Sequence, residues 1–272
     1  MDPRADRAAW LAKLPEALDA LRRRWALEIG PPFESGSCAW VAPVRWKGTG
    51  AVLKIGMPHM EAEHELQGLL FWNGDPAVHV FDYDPEWNAM LLEACEPGTP
   101  LRSLPEEDQD RVIAELARRC WRRPAGPHPF RPLSAQLDWW AEETRAQSAS
   151  WLDAGVAREG LRLFEALSQP SPDDVLLATD LHAGNVLRAE RRSWLMIDPK
   201  PFVGDPAYDA TQHLRNCGER LRADPLGLIR RVADLFGIDE ARTRLWLFAR
   251  LAAEPREVWG EEAVALARRL AV

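Results

Sequence analysis

Between Asp6 and Arg24 the apolar positions Leu11, Leu14, Leu18 and Leu21, continued by Trp25, recur every three or four residues, which predicts an amphipathic helix. The texture then changes. Residues 38–46 (CAWVAPVRW) and 50–55 (GAVLKI) are short, apolar and partly β-branched, and the turn Lys47-Gly48-Thr49-Gly50 between them predicts a hairpin. Met60 to Trp72 returns to helical spacing, and 78–83 and 89–93 predict two further strands around the turn-rich DPEWN. The outline of this part is three strands, a helix and two strands.

Glu96-Pro97-Gly98-Thr99-Pro100 is a turn cluster that marks a lobe boundary, dividing the chain into 1–95 and 96–272. Beyond it the pattern is helical. Ser103 and Glu106 have capping-box spacing ahead of Val112, Leu116 and Cys120, so a helix is expected to start there. Further helices are expected over 133–149, 156–168, 206–216, 225–236 and 239–253. Among them lies one non-helical island, Val175 to Asp198, whose segments VLLA, NVLR and WLMI predict short buried strands.

A chain of 272 residues that is 46% apolar and 28% charged has the balance of a folded globular protein, so disorder is not expected. Its formal charge of −8 argues against a nucleic-acid partner and suits a cationic ligand. Cys38, Cys95, Cys120 and Cys217 form no C-x-x-C pair, which removes the usual zinc and thioredoxin motifs and predicts reduced thiols. The charged start MDPRADRAAW and the lack of a continuous apolar run of about 18 residues predict neither a leader nor a membrane anchor, hence a cytoplasmic protein.

Candidate chemistry is concentrated in the island, LLATDLHAGNVLRAERRSWLMIDPKP. Asp180 is followed by four residues and Asn185, and Asp198 ends an apolar strand thirteen residues later. D-x4-N is the spacing of a kinase catalytic loop, in which the aspartate orients and deprotonates the attacking hydroxyl and the asparagine oxygen holds magnesium. The spacing alone is common in turns. Its setting between two buried strands, with a second aspartate at the end of the later one, is what a two-ligand magnesium site on a hairpin requires.

The N-terminal part supplies an independent test. Lys54 interrupts an apolar strand, which is costly unless an anion receives it, and Glu61, Glu63 and Glu65 on the following helix are the candidate partners. A lysine paired in this way holds ATP phosphates in kinases, although Lys54 alone reads equally as a side chain snorkelling from an edge strand. Ser35, Gly36 and Ser37 precede the first hairpin strand, where a phosphate-covering loop would lie: glycine permits close backbone approach and the serines donate hydrogen bonds. Glu93 and Cys95 stand where an interlobe hinge would present backbone groups to an adenine.

LKIGMPHMEAEHELQGLLFW (53–72), LLEACEPGTPL (91–101), DLHAGNVL (180–187) and IDPKPFVGDPAYDATQHL (197–214) give the chain a resemblance to the aminoglycoside phosphotransferases, in particular to their streptomycin and hydroxyurea phosphotransferase branch. It runs from about Phe33 to the helices after residue 214. The resemblance implies an α+β, bilobal protein-kinase-like fold: a small N-terminal lobe with an antiparallel sheet and one helix, and a larger, mainly helical C-terminal lobe. It also implies ATP and Mg2+ as cofactors and a small-molecule hydroxyl acceptor. It matches Asp180 to the catalytic aspartate, Asn185 and Asp198 to the metal ligands, and Lys54 to the phosphate-binding lysine. Glu65 is then the expected partner of Lys54, with Glu61 next. Asp209 matches an aspartate that braces the catalytic loop; Asp205 is expected either there or at substrate, and His182 at substrate. One departure is local: the family usually has His-Gly before the catalytic aspartate, where this chain has Ala178-Thr179. Streptomycin is the expected acceptor, with hydroxyurea, an unknown metabolite or a nucleotide-binding pseudokinase as alternatives. A protein kinase is disfavoured, since neither a D-F-G nor an A-P-E segment lies between Asp198 and Asp209.

Overall fold

A computed structural model describes residues 3–33, 38–58, 60–255, 257 and 260–271, with side chains from residue 7 onward in the first helix. It divides into two compact units, Met1–Thr99 with Arg188–Leu195, and Pro100–Leu187 with Met196–Val272.

The first unit opens with helix α1 (Pro3–Trp25), followed by strands β1 (Glu28–Ile29), β2 (Ala39–Trp46) and β3 (Thr49–Gly56), helix α2 (Glu65–Trp72), and strands β4 (Val80–Asp84) and β5 (Ala89–Glu93). The five strands form one antiparallel sheet in the order β1-β2-β3-β5-β4. Leu21 and Trp25 of α1 are buried with Leu53, Ile55 and Leu91 of the sheet, while Leu14 and Leu18 pack at the margin of this cluster. Leu11 is an exception to the predicted stripe and is exposed. Alternation along β3 turns Lys54 to the face opposite Leu53 and Ile55.

The helix expected from Met60 is shorter than its spacing suggests. Residues 60–64 form turns and α2 begins at Glu65, because the apolar face that a helix can bury starts only there: Glu65, Gly68, Leu69 and Trp72 are its buried positions.

The second unit holds helices α3 (Glu106–Cys120), α4 (Leu133–Ala146) and α5 (Ala154–Leu167), strands β6 (Val175–Leu177), β7 (Val186–Arg188), β8 (Trp194–Met196) and β9 (Phe202–Gly204), and helices α6 (Pro206–Asn216), α7 (Gly218–Ala223), α8 (Pro225–Phe236), α9 (Glu240–Ala253) and α10 (Glu261–Leu270). The tip of the β7–β8 hairpin, residues 188–195, counts with the first unit. β9, α7 and α10 were not legible in the sequence. Helices α5, α6, α8 and α9 start where Asp153, Asp205, Asp224 and Asp239 accept backbone N–H groups of their first turns. The capping box expected from Ser103 does not form: Pro105 occupies the N-cap of α3, Ser103 closes a short 3-10 turn, and Glu106, Glu107 and Asp108 face the positive end of the helix dipole instead. Helix α9 is the hub of this unit, with Trp246, Leu247 and Leu251 buried. It approaches α5 so closely at Gly160 that an added Cβ would lie 2.6 Å from that of Ala252.

Asp110 of α3, fully buried, accepts two hydrogen bonds from Arg220 (3.0 and 2.8 Å), one from Arg231 Nε (2.8 Å), and lies 2.8 Å from His213 Nε2. Asp110, His213 and Cys217 are near enough to share a metal ion, but two guanidinium groups already supply the positive charge. Burial raises the Asp110 carboxyl, and the bonds from His213, Arg220 and Arg231 outweigh it, leaving the group far below the usual carboxylate range. Asp110→Asn is expected to lose about 3 kcal/mol of stability at neutral pH, the low end for a buried ion pair because both arginines are partly exposed. For a depressed carboxyl this stability is present above the unfolded value of about 4 and is lost below it, so urea unfolding should show a constant gap between variant and wild type from about pH 8 to 5 that narrows only in stronger acid.

Candidate active site

In the first unit, Lys54 and Glu65 meet. Lys54 Nζ donates to Glu65 Oε1 at 2.5 Å, and their side chains are 8% and 6% exposed. Because β3 is the central strand of the sheet, a snorkelling edge lysine is excluded. The position of Glu65 at the first residue of α2 makes it the partner rather than Glu61. Ser35, Gly36 and Ser37 lie outside the described residues.

At the end of β5 the Glu93 carboxylate receives Arg191 Nε and Nη2, both at 2.8 Å, and the His79 N–H at 2.9 Å. Burial raises its pKa, but these donors outweigh it and the group lies below its ordinary value. The Glu93 N–H donates to His79 O at 2.9 Å, so this one group of the expected hinge is already used within the sheet unit. Burial and the Glu93 charge push the Cys95 thiol up to about 12, which keeps it neutral.

In the second unit, β6 leads into the loop that carries Asp180. Thr179 has φ 48°, a left-handed conformation that costs a non-glycine residue about 1–2 kcal/mol. Four bonds offset that cost. Asp209 accepts from Ala178 N (3.0 Å) and Thr179 N (2.7 Å), Thr179 Oγ1 donates to Lys200 O (2.5 Å), and Lys200 N donates to Ala178 O (2.9 Å). Threonine thus stands where glycine would relax the backbone, and its hydroxyl ties the loop to the segment after Asp198. Asp209 is fully buried and also accepts from Trp121 Nε1 at 3.0 Å; burial pushes its carboxyl up, against the pull of these donors and the charge of Arg250.

Asp180 Oδ2 receives Lys200 Nζ at 2.9 Å and Asn185 Nδ2 at 3.3 Å, and Oδ1 receives Gln212 Nε2 at 2.7 Å. Each carboxylate oxygen has two lone pairs, so Oδ2 is filled by its two donors and Oδ1, with one, keeps capacity for an incoming hydroxyl. Asn185 Nδ2 also donates to Asp180 O at 3.1 Å, which turns the amide oxygen the other way, and Ile197 N donates to Asn185 O at 2.9 Å, tying Asn185 to the strand end that presents Asp198. One amide oxygen and one carboxylate are a hard-oxygen donor pair that fits magnesium.

Gly184 leaves room for its neighbours: a Cβ there would fall 2.2 Å from Arg102 Nη2 and 2.7 Å from the His182 ring. His182 Nδ1 accepts the Gly184 N–H at 3.0 Å, and its Nε2 is 3.7 Å from Asp180 Oδ1, too far for a hydrogen bond. Burial pulls its pKa down, so the ring is neutral. Asp205, expected at the loop or at substrate, caps α6 through Ala207 N at 2.9 Å and accepts from Arg242 and from Trp246 Nε1, the latter at 2.6 Å. Of the acidic residues nearby, Glu254 and Glu257 are taken by Arg215 at 2.8 and 2.6 Å.

Lys200 and Gln212, the two residues that grip the Asp180 carboxylate, were not singled out by motif reading. A signal for Gln212 exists, since it lies three residues after Asp209 on α6 and must share its face. Lys200 follows Asp198 by two residues inside a proline-flanked turn, with no periodicity to reveal where it points.

A model of the aminoglycoside/hydroxyurea antibiotic resistance kinase family matches residues 24–263. The chain is 36% identical to a streptomycin 6-kinase of Streptomyces glaucescens over 253 residues, covering 89% of this chain and 82% of that one. It is 34% identical to a hydroxyurea phosphotransferase of Kitasatospora aureofaciens over 247 residues, 88% of this chain and 71% of that one. A choline kinase from Cryptosporidium parvum superposes with a TM-score of 0.63 at 14% identity, covering 94% of each chain, which establishes the kinase-like fold. With its antiparallel sheet unit, its helical unit and a family match over most of its length, the chain belongs to the aminoglycoside/hydroxyurea antibiotic resistance kinases.

Proposed function

We propose that this protein transfers the γ-phosphoryl group of ATP to a hydroxyl of streptomycin, with Asp180 as the base. The observation that carries the reading is the grip on Asp180: a carboxylate oriented by Lys200 and Gln212, hydrogen-bonded to Asn185, in a chain 36% identical to a streptomycin 6-kinase. Asp180 accepts the proton of the attacking hydroxyl as the bond to phosphorus forms, and positioning of the two reactants supplies much of the rate. Lys54, aligned by Glu65, holds ATP phosphate oxygens; Ser35, Gly36 and Ser37 cover them, and the backbone around Cys95 reads the adenine. Lys200 offers a second cation beside Asp180 for the transferring phosphoryl oxygens. Asn185 and Asp198 would hold Mg2+, which would supply positive charge to offset that of the phosphates. Asp209 braces the loop, and His182 lines the acceptor side as a neutral ring.

The lobes of this enzyme are residues 1–95 and 96–272. A net charge of −8 favours a cationic acceptor, and four cysteines outside any disulfide suit a cytoplasmic location. Among the described residues no helix is long and apolar enough to cross a membrane. The second reading, hydroxyurea as acceptor, rests on the relative that is 34% identical.

The test is transfer from ATP-Mg2+ to streptomycin, other aminoglycosides and hydroxyurea, read by mass spectrometry of the acceptor. Phosphorylated streptomycin is the expected product. Phosphorylated hydroxyurea alone would select the second reading, and nucleotide binding without transfer to any acceptor would retire both.

A further inference from the structure

Arg250 lies in the middle of α9 and is 3% exposed, within the apolar run Leu247, Phe248, Ala249 and Leu251. Nε donates to Glu254 Oε2 at 3.1 Å, Nη1 to Thr211 Oγ1 at 2.9 Å and Nη2 to Gln212 Oε1 at 2.9 Å, while the guanidinium lies 4.7 Å from the centre of the Tyr208 ring. A buried ion pair such as this is often no more stabilising than apolar residues of the same volume. Stability alone is therefore a weak reason for an arginine at this position.

Its consequence is at the other end of Gln212. A side-chain amide can turn over, and the two orientations exchange its oxygen and nitrogen. With Oε1 held by Arg250, the nitrogen must point to Asp180 Oδ1, where Nε2 is found at 2.7 Å. Turned over, the amide would set its oxygen against the Asp180 carboxylate and its NH2 against a guanidinium that has no acceptor. Lys200 grips the other oxygen, and two anchors on different oxygens define the plane of a carboxylate where one would let it swing.

We propose that Arg250 is a positioning residue for phosphoryl transfer: acting through Gln212, it fixes the plane in which Asp180 meets the acceptor hydroxyl. This rests on Asp180 being the base. The network Glu254–Arg250–Gln212–Asp180 lies wholly in the second unit, and its links reach from α9 through α6 to the loop.

The experiment compares steady-state transfer from ATP to streptomycin by the full chain, with hydrolysis of ATP by water measured alongside, for wild type, Gln212→Met, Gln212→Glu, Arg250→Met and the Gln212→Met/Arg250→Met double variant. A misplaced catalytic group costs about 100-fold per ångström. Each single variant is expected to lose about tenfold to 100-fold in kcat on that scale, with KM for ATP within about twofold of wild type. Gln212→Glu keeps the partner of Arg250 but cannot donate to Asp180, so it should fall as far as Gln212→Met. The double variant should be no slower than Gln212→Met alone, because Arg250 acts through that side chain.

Retained kcat in Gln212→Met, full activity in Gln212→Glu, losses that multiply in the double variant, or a rise in KM in place of a fall in kcat would each overturn the proposal. If Arg250→Met does not fold, Arg250→Lys, which keeps the charge but not the guanidinium fork that reaches Gln212 and Glu254 together, takes its place with the same expected fall in kcat, and wild-type kcat in that variant overturns the proposal. A wild type that hydrolyses ATP and leaves streptomycin unmodified sinks the acceptor reading alone, and the Gln212 pattern is then read on hydrolysis.

Discussion

Asp180→Ala is expected to slow phosphate transfer by about 10²- to 10⁴-fold while leaving a folded protein that binds ATP. The variant removes the only carboxylate that Lys200 and Gln212 jointly hold among the described residues, and with it the proposed acceptor for the proton of the attacking hydroxyl. General-base catalysis contributes about 10²- to 10⁴-fold to such a reaction, so kcat should fall by that factor. Little stability should go with it, because Asp180 and Lys200 are 17% and 30% exposed at their side chains and water can replace the lost bonds. Asp180→Asn sharpens the test. The amide keeps the size of the side chain and cannot take a proton at neutral pH, so its kcat should fall nearly as far. Transfer at more than about a tenth of the wild-type rate in either variant would show that Asp180 is not the base. Isothermal titration with ATP, or a non-hydrolysable analogue, checks that nucleotide affinity is unchanged.

Asp209→Ala is expected to produce the largest loss of stability of any substitution near the site. Asp209 is 2% exposed and accepts from three donors, the Ala178 and Thr179 N–H groups and Trp121 Nε1. Alanine leaves all three buried without an acceptor. At about 1–3 kcal/mol for each unsatisfied buried group, and with relaxation recovering part of it, the loss should be about 3–5 kcal/mol. The Thr179 conformation adds to the effect, since a left-handed threonine persists only while the bonds that offset it remain. Activity should fall with stability, and part of the activity loss should remain in those molecules that are still folded, because the loop carrying Asp180 has lost its anchor. Asp209→Asn retains an acceptor oxygen and should lie between wild type and Asp209→Ala in urea unfolding. A loss below about 1 kcal/mol for Asp209→Ala would remove it as the brace of the loop.

Sequence alone was enough for whatever is local or repeated along the chain. The stripe ending in Leu21 and Trp25, the hairpin around Lys47-Gly48 and the helices at 206–216 and 225–236 follow from the period of their apolar residues and from turn and cap chemistry, which act over a few residues. The D-x4-N spacing and the aspartate after the next strand are local in the same sense. Family membership follows from those motifs, and the match over residues 24–263 agrees with it.

What the tertiary structure decided are pairings between distant residues, for which periodicity carries no information. The residue pattern leaves Glu61, Glu63 and Glu65 open as partners of Lys54 and the family resemblance favours Glu65; the contact itself, across eleven residues, is made by the fold. β9 is three residues long, too short to show alternation, and is a strand because it pairs with β6. Asp205 caps α6 locally, but its other partners, Arg242 and Trp246, lie 37 and 41 residues away and reach it only in the fold. Thr179 takes a glycine-like conformation because Asp209 and Lys200, 30 and 21 residues away, hold it there. Gln212 and Arg250 acquire a role only from the fold, which sets two helices behind one loop: a hydrogen bond needs an approach of about 3 Å, and contact between residues 38 apart in sequence exists only after the chain has folded.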